Sequence, residues 1–161
     1  MSQSDKQPGW LVIGLGNEYR GDDAVGVVVA RRIKRKIGGA RVVERRDASL
    51  LLEAWDAAAN VIVVDAMRSG SACGTILRLD AVKDRLPAEW QSLSTHAVGL
   101  SEAIELARLA NAMPERLVVY GIEGSRFESS QVITPEVDRA AWQVVGMIMR
   151  EMTKQGDGVP T

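Results

Sequence analysis

The sequence predicts one α/β domain built on a mostly parallel sheet. Short β-rich runs alternate along it with longer stripes of helical period, the pattern that crossover connections produce. Its 161 residues, 46% hydrophobic and 25% charged, are enough for one hydrophobic core and too few for two full domains. The stretch 66–74, rich in Gly, Ser and Ala, is too short for a helical crossover, so the strand after it should run antiparallel to the strand before it.

Strands are predicted at 10–14, 41–45, 61–65, 75–79 and 117–121. Between the first two, Val25, Val28, Val29, Ile33 and Ile37 share one helical face, and Arg31, Arg32, Lys34 and Arg35 share the other, as in an amphipathic crossover helix. A second helix is predicted over 49–58, with Leu51, Ala54, Trp55 and Ala58 on one side, and a third over 99–112. The last is the clearest. Thr134 suits an N-cap, Pro135 the first turn and Glu136 the positive end of the dipole, while Val137, Ala141, Val144, Ile148 and Met152 form the stripe to be buried. No internal repeat, low-complexity block or interdomain linker interrupts the chain, so 1–161 reads as a single domain with flexible tails at about 1–8 and 154–161.

Composition narrows the function. One cysteine, Cys73, excludes an intramolecular disulfide framework and a Cys-rich zinc cluster, and suits a reducing compartment, so a cytoplasmic location is expected. Residues 1–9 do not read as a signal peptide, and no apolar run approaches the ~20 residues of a membrane-spanning helix. Aromatic residues make up only 4% and the net charge is -1, which leaves neither a stacking platform nor an overall basic footprint for nucleic acid.

The sharpest local feature is Gly14-Leu15-Gly16-Asn17, followed by Gly21-Asp22-Asp23-Ala24-Val25-Gly26, where the first strand hands over to the first helix. Ligands bind at that edge of an open parallel sheet. A dinucleotide fingerprint would need glycine at position 19, which is Tyr19, and two acids at the helix start would repel a pyrophosphate. Asp22 and Asp23 can cap the helix; a second carboxylate beside the first can instead hold a cation or a proton. Asp65 closes the apolar run 61–64 and should emerge at the same edge as Asp23.

His96, the only histidine, precedes a helix in Ser94-Thr95-His96-Ala97-Val98-Gly99. It reads either as a hydrogen-bonded loop residue or, with Asp23 and Asp65, as part of an oxygen and nitrogen site for a borderline divalent metal such as zinc or nickel. Asp47 follows the second strand and either caps the next helix or joins the crevice rim. Cys73 lacks an evident orienting group for a nucleophile. The segment 31–46 is a basic patch, a solvated face or a dock for an acidic partner.

Four segments in this order resemble the hydrogenase maturation endopeptidases: the run from Gly14 to Gly26, Val61-Ile62-Val63-Val64-Asp65-Ala66, the run from Ser94 to Ser101, and Val119-Tyr120-Gly121-Ile122-Glu123 with Thr134-Pro135-Glu136-Val137. The resemblance implies a phosphorylase/hydrolase-like three-layer α/β/α fold, with a mixed five-stranded sheet in the order 2-1-3-5-4 and strand four antiparallel. It implies an aspartic-type or metal-dependent endopeptidase that removes the C-terminal extension of the [NiFe]-hydrogenase large-subunit precursor after nickel insertion. Asp23, Asp65 and His96 match the family's metal-binding, catalytic trio. The nickel is carried by the substrate, and zinc or cadmium could take the site in isolation. Gly14, Gly16, Asn17, Asp22 and Asp47 are further candidates for substrate contact. Two departures stand out: the loop acid, often Glu in relatives, is Asp23 here, and Asp47 is followed by Ala48-Ser49 where relatives are often glycine-rich.

The partner so implied is the precursor, with no nucleic acid, no membrane and a monomeric enzyme. One alternative is an accessory protein that holds nickel without cutting. Another is a peptidyl-tRNA hydrolase-like esterase, which shares the Gly-Leu-Gly-Asn turn, but its signature continues with Pro where this chain has Glu18.

Overall fold

The computed structural model describes residues 7–87 and 99–157. Its five strands are β1 (Gln7–Leu15), β2 (Arg41–Arg45), β3 (Ala58–Met67), β4 (Ile76–Asp80) and β5 (Arg116–Glu123). Its helices are α1 (Val25–Lys36), α2 (Leu51–Ala54), α3 (Leu100–Leu109) and α4 (Pro135–Asp157), and a 3-10 turn, Gly21–Ala24, leads into α1. The strand order is β2-β1-β3-β5-β4. All neighbours pair in parallel except β4 and β5, which are antiparallel, as the short link after β3 requires.

Alternation along the strands sends side chains to two separate cores. Val61 and Val63 pack with Leu51, Trp55, Ile104 and Ala107 beneath α2 and α3. Ile62 and Val64 pack with Val29, Ile33, Ala141 and Ile148 beneath α1 and α4. Helices therefore cover both faces of the sheet, which explains why the central strands read as continuous apolar runs.

The helix predicted over 49–58 is the main departure. Only α2 (Leu51–Ala54) is helical, and by Ala58 the chain has entered β3. Residues 57–59 are three alanines with good helix propensity, but here Ala58 lies opposite Gln7 and Asn60 opposite Trp10, so pairing with β1 overrides local preference. Trp55 makes the bend: its indole N–H reaches the Ala112 carbonyl at 3.1 Å, and its own carbonyl accepts the Ala58 N–H at 2.9 Å.

Two glycines set how α1 lies on the sheet. A Cβ on Gly14 would come within 2.3 Å of the Gly26 carbonyl oxygen. One on Gly26 would come within 2.3 Å of the carbonyl oxygens of both Leu15 and Val64. With both bare, the first turn of α1 rests directly on β1 and β3, and the acids just before that turn are held at the C-terminal edge of the sheet.

Candidate active site

The loop after β1 is wound by its own backbone. Asn17 accepts the Tyr19 N–H on its side-chain oxygen at 2.9 Å, and the Arg20 N–H returns to the Asn17 carbonyl at 3.1 Å. Gly16, at φ +143°, lies so close to the Asp23 carbonyl that no side chain fits there. The Asn17 N–H then donates to the Asp23 carboxylate at 2.8 Å. Neither Asp22 nor Asp23 caps a helix end through its side chain.

These neighbouring acids have different surroundings. Asp22 is fully buried, and its carboxylate accepts the backbone N–H groups of Ser125 (2.9 Å), Arg126 (3.0 Å) and Thr134 (2.7 Å) and the Thr134 hydroxyl (3.3 Å). It ties the first loop to the segment between β5 and α4. Asp23 lies close enough to Asp65 for its charge to act on it. Burial first, and the Asp23 charge second, push the Asp65 carboxyl well above the usual carboxylate range, against the Ala66 N–H at 2.8 Å, which lowers it. β3 runs two residues past Asp65, to Met67, and Asp65 stands opposite Gly121 of β5.

The structure thus brings together Asp23 and Asp65, as the sequence predicts. His96 lies outside the described residues, and among the described residues no cluster of three metal-ligating side chains is assembled. Asp47 accepts both the backbone N–H and the hydroxyl of Ser49, bracing the turn ahead of α2 rather than capping the helix. Gly14 and Gly16 are buried, with packing roles, whereas Asn17 is half-buried. Cys73 sits 3.4 Å from the Ser125 hydroxyl and 3.5 Å from that of Thr134. The basic patch is partly neutralised: Arg31 pairs with Glu18 and Glu44, and Arg32 with Asp138.

One acid was missed as an individual. Glu123 is 2% exposed, and its carboxylate gathers the N–H groups of Ser69 and Gly70 and the Ser69 hydroxyl, all within 3.0 Å. It holds the β3–β4 loop against the end of β5. The signal was available, because Glu123 closes an apolar strand just as Asp65 nearly does.

The arrangement is a pair of carboxylates, Asp23 buried and Asp65 half-buried, at the C-terminal edge of a mixed sheet, held by glycine contacts and by a third acid, Asp22, beside it. Against that geometry, the hydrogenase maturation protease (HycI) family model matches residues 47–151, a span that contains Asp65 and His96. Hydrogenase 2 maturation protease of Escherichia coli K12 is 25% identical over 152 residues, covering 91% of this chain and 92% of the relative. The structure of the hydrogenase maturating endopeptidase HybD from E. coli superposes with a TM-score of 0.77 at 22% identity, over 92% of this chain and 94% of that one. The [NiFe] hydrogenase maturation protease HybD from Thermococcus kodakarensis gives a TM-score of 0.68 at 19% identity, over 90% and 99%. With the family model spanning well over half of the sequence, this chain belongs to the hydrogenase maturation protease family.

Proposed function

We propose that this protein is the endopeptidase that removes the C-terminal extension of a [NiFe]-hydrogenase large-subunit precursor once nickel has been inserted, and that Asp23, Asp65 and His96 recognise the nickel the precursor carries. The observation that carries this reading is the closeness of Asp23 and Asp65, near enough for the charge of one to act on the other. Two carboxylates held together in a partly desolvated crevice repel each other, and a divalent cation relieves that repulsion. A precursor bearing nickel supplies the cation, whereas an unloaded precursor leaves the repulsion in place. Affinity is then gated by the substrate's own metal, and the enzyme needs no resident cofactor.

Cleavage adds water across one peptide bond and yields a carboxylate and an amine. The same cation can polarise the scissile carbonyl while a carboxylate of the pair takes the proton from the attacking water. We place the reaction in the cytoplasm and assign no role to nucleic acid or membrane. The described helices include none long and apolar enough to cross a bilayer.

The test is intact-mass analysis of a large-subunit precursor incubated with this protein in nickel-loaded and nickel-free forms. The expected result is loss of a C-terminal peptide from the loaded form alone. If neither form is shortened while the isolated protein binds nickel tightly, the protein is an accessory that holds the metal without cutting.

A further inference from the structure

At the other end of the sheet, where β1 and β5 begin and β4 ends, a cavity of about 760 Å³ lies against the C-terminal half of α4. Its origin is a mismatch of lengths. The 23 residues of α4 extend about 34 Å at the helical rise, and the 8 residues of β5 about 26 Å at the strand rise, so the helix outruns the strand beneath it.

The walls carry four cations: Arg78 from β4, Arg116 from β5, and Arg150 and Lys154 one turn apart on α4. Two carboxylates face them, and both are engaged. Glu151 takes Arg78 and the Tyr120 hydroxyl, and Asp80 accepts the backbone N–H groups of Val82 and Lys83. Among the described residues, Arg116, Arg150 and Lys154 have no carboxylate within ion-pair distance. In a chain of net charge -1 this is a local segregation of charge, since other basic residues such as Arg31 and Arg32 do find acids.

A second observation concerns Trp10, on the wall of the same cavity. It is 7% exposed, and its buried indole N–H has no hydrogen-bond acceptor among the described residues. The Arg116 guanidinium lies 5.9 Å from the centre of its ring. Among the described residues the unpaired groups here, three cations and one indole N–H, are all donors, and their complement is an acceptor bearing negative charge.

We propose that this cavity binds a small oligophosphate, either free or as the phosphate chain of a nucleotide. The cations come from different walls, so a ligand with more than one anionic group is needed to meet them together. Guanidinium groups match phosphate oxygens in a two-pronged geometry, and the cavity volume lies in the usual range for small-ligand sites. The site is at the far end of the strands from Asp23 and Asp65 and does not depend on the proposed cleavage.

The test is calorimetric titration of the full-length protein with sodium pyrophosphate at roughly physiological ionic strength, with orthophosphate, ATP and citrate as comparison arms. Saturable pyrophosphate binding is expected. It should weaken at least about tenfold, a loss of roughly 1.4 kcal/mol, in Arg116→Ala and in Arg150→Ala, and stay unchanged in Arg46→Ala, an exposed arginine elsewhere on the molecule. Both altered cavity residues are exposed, so the variants should melt like the parent. ATP binding more tightly than pyrophosphate assigns the nucleotide as the source of the phosphate chain, and the reverse assigns the free ion. Three results overturn the site: no saturable binding of any phosphate, citrate binding as well as pyrophosphate, or an equal loss in Arg46→Ala. Failure of precursor cleavage would count against the proposed function and leave this binding result standing.

Discussion

Asp22 and Asp23 are adjacent and chemically identical, yet they are expected to fail differently when changed. Asp22 accepts four donors from residues more than a hundred positions away, so Asp22→Asn must turn an amide N–H₂ toward a donor whichever way it flips. It should cost about 2–3 kcal/mol of stability, read from urea unfolding. Asp23→Asn should change stability far less and still abolish cleavage. Asp65 supplies the pH-dependent case. Its folded-state value is raised, so as pH rises through the ordinary carboxylate range the unfolded chain ionises while the folded chain keeps its proton, and stability falls. Above the raised value the full penalty persists. Metal-free Asp65→Asn should therefore melt about 3 °C above the parent at pH 8, the effect of roughly 1 kcal/mol in a chain of this size, and the gap should close near pH 3. A gap unchanged with pH would remove Asp65 from the repelling pair. The meeting of Asp23 and Asp65 was legible in the sequence because acids at the C-terminal ends of parallel strands share one edge. The role of Asp22 was not, because three of its four donors are backbone groups of a segment with no periodic pattern.

At the scale of elements, long amphipathic stretches declared themselves, and short ones depended on their neighbours. α1 and α4 appear where the stripes of Val25, Val29 and Ile33 and of Val137, Ala141 and Val144 place them. The helix predicted over 49–58 shrank to one turn, because the alanines at 57–59 carry no sign that Ala58 will pair with β1 and that Asn60, just after them, will pair with both β1 and β5. Gly14, read from the sequence as a candidate for substrate contact, and Gly26 are contact surfaces between α1 and the sheet. Gly26→Ala tests this: its new Cβ would meet two backbone carbonyls, which cannot rotate away as a side chain could. A loss of about 3 kcal/mol is expected, the upper end for overpacking, together with slower cleavage as α1 lifts Asp23 from Asp65. Ordinary stability would show that helix and sheet separate at little cost.

For the whole molecule, the class of fold and the antiparallel fourth strand followed from run lengths and one short link. The strand order did not follow from periodicity and came with the family resemblance. Both edges of the sheet discourage further pairing. β2 carries Arg41, Glu44 and Arg45, and β4 carries Arg78 and Asp80. A monomer of 17.5 kDa is therefore expected in solution, and a concentration-independent mass from light scattering checks it. A dimer that dissociates in Arg78→Ala would show instead that β4 is a pairing edge.

The four bonds to Asp22 also bear on the order in which the chain is made. The loop that carries Asp23 is wound by its own backbone but anchored to residues 125–134, so strands β1 to β3 can emerge from the ribosome before that anchor exists. The anchor of that loop is complete only once Thr134 has been made. If Asp23 and Asp65 do the cutting proposed above, a nascent fragment lacking the last third of the sequence is expected to be inert, which spares the cell a half-made enzyme that cuts.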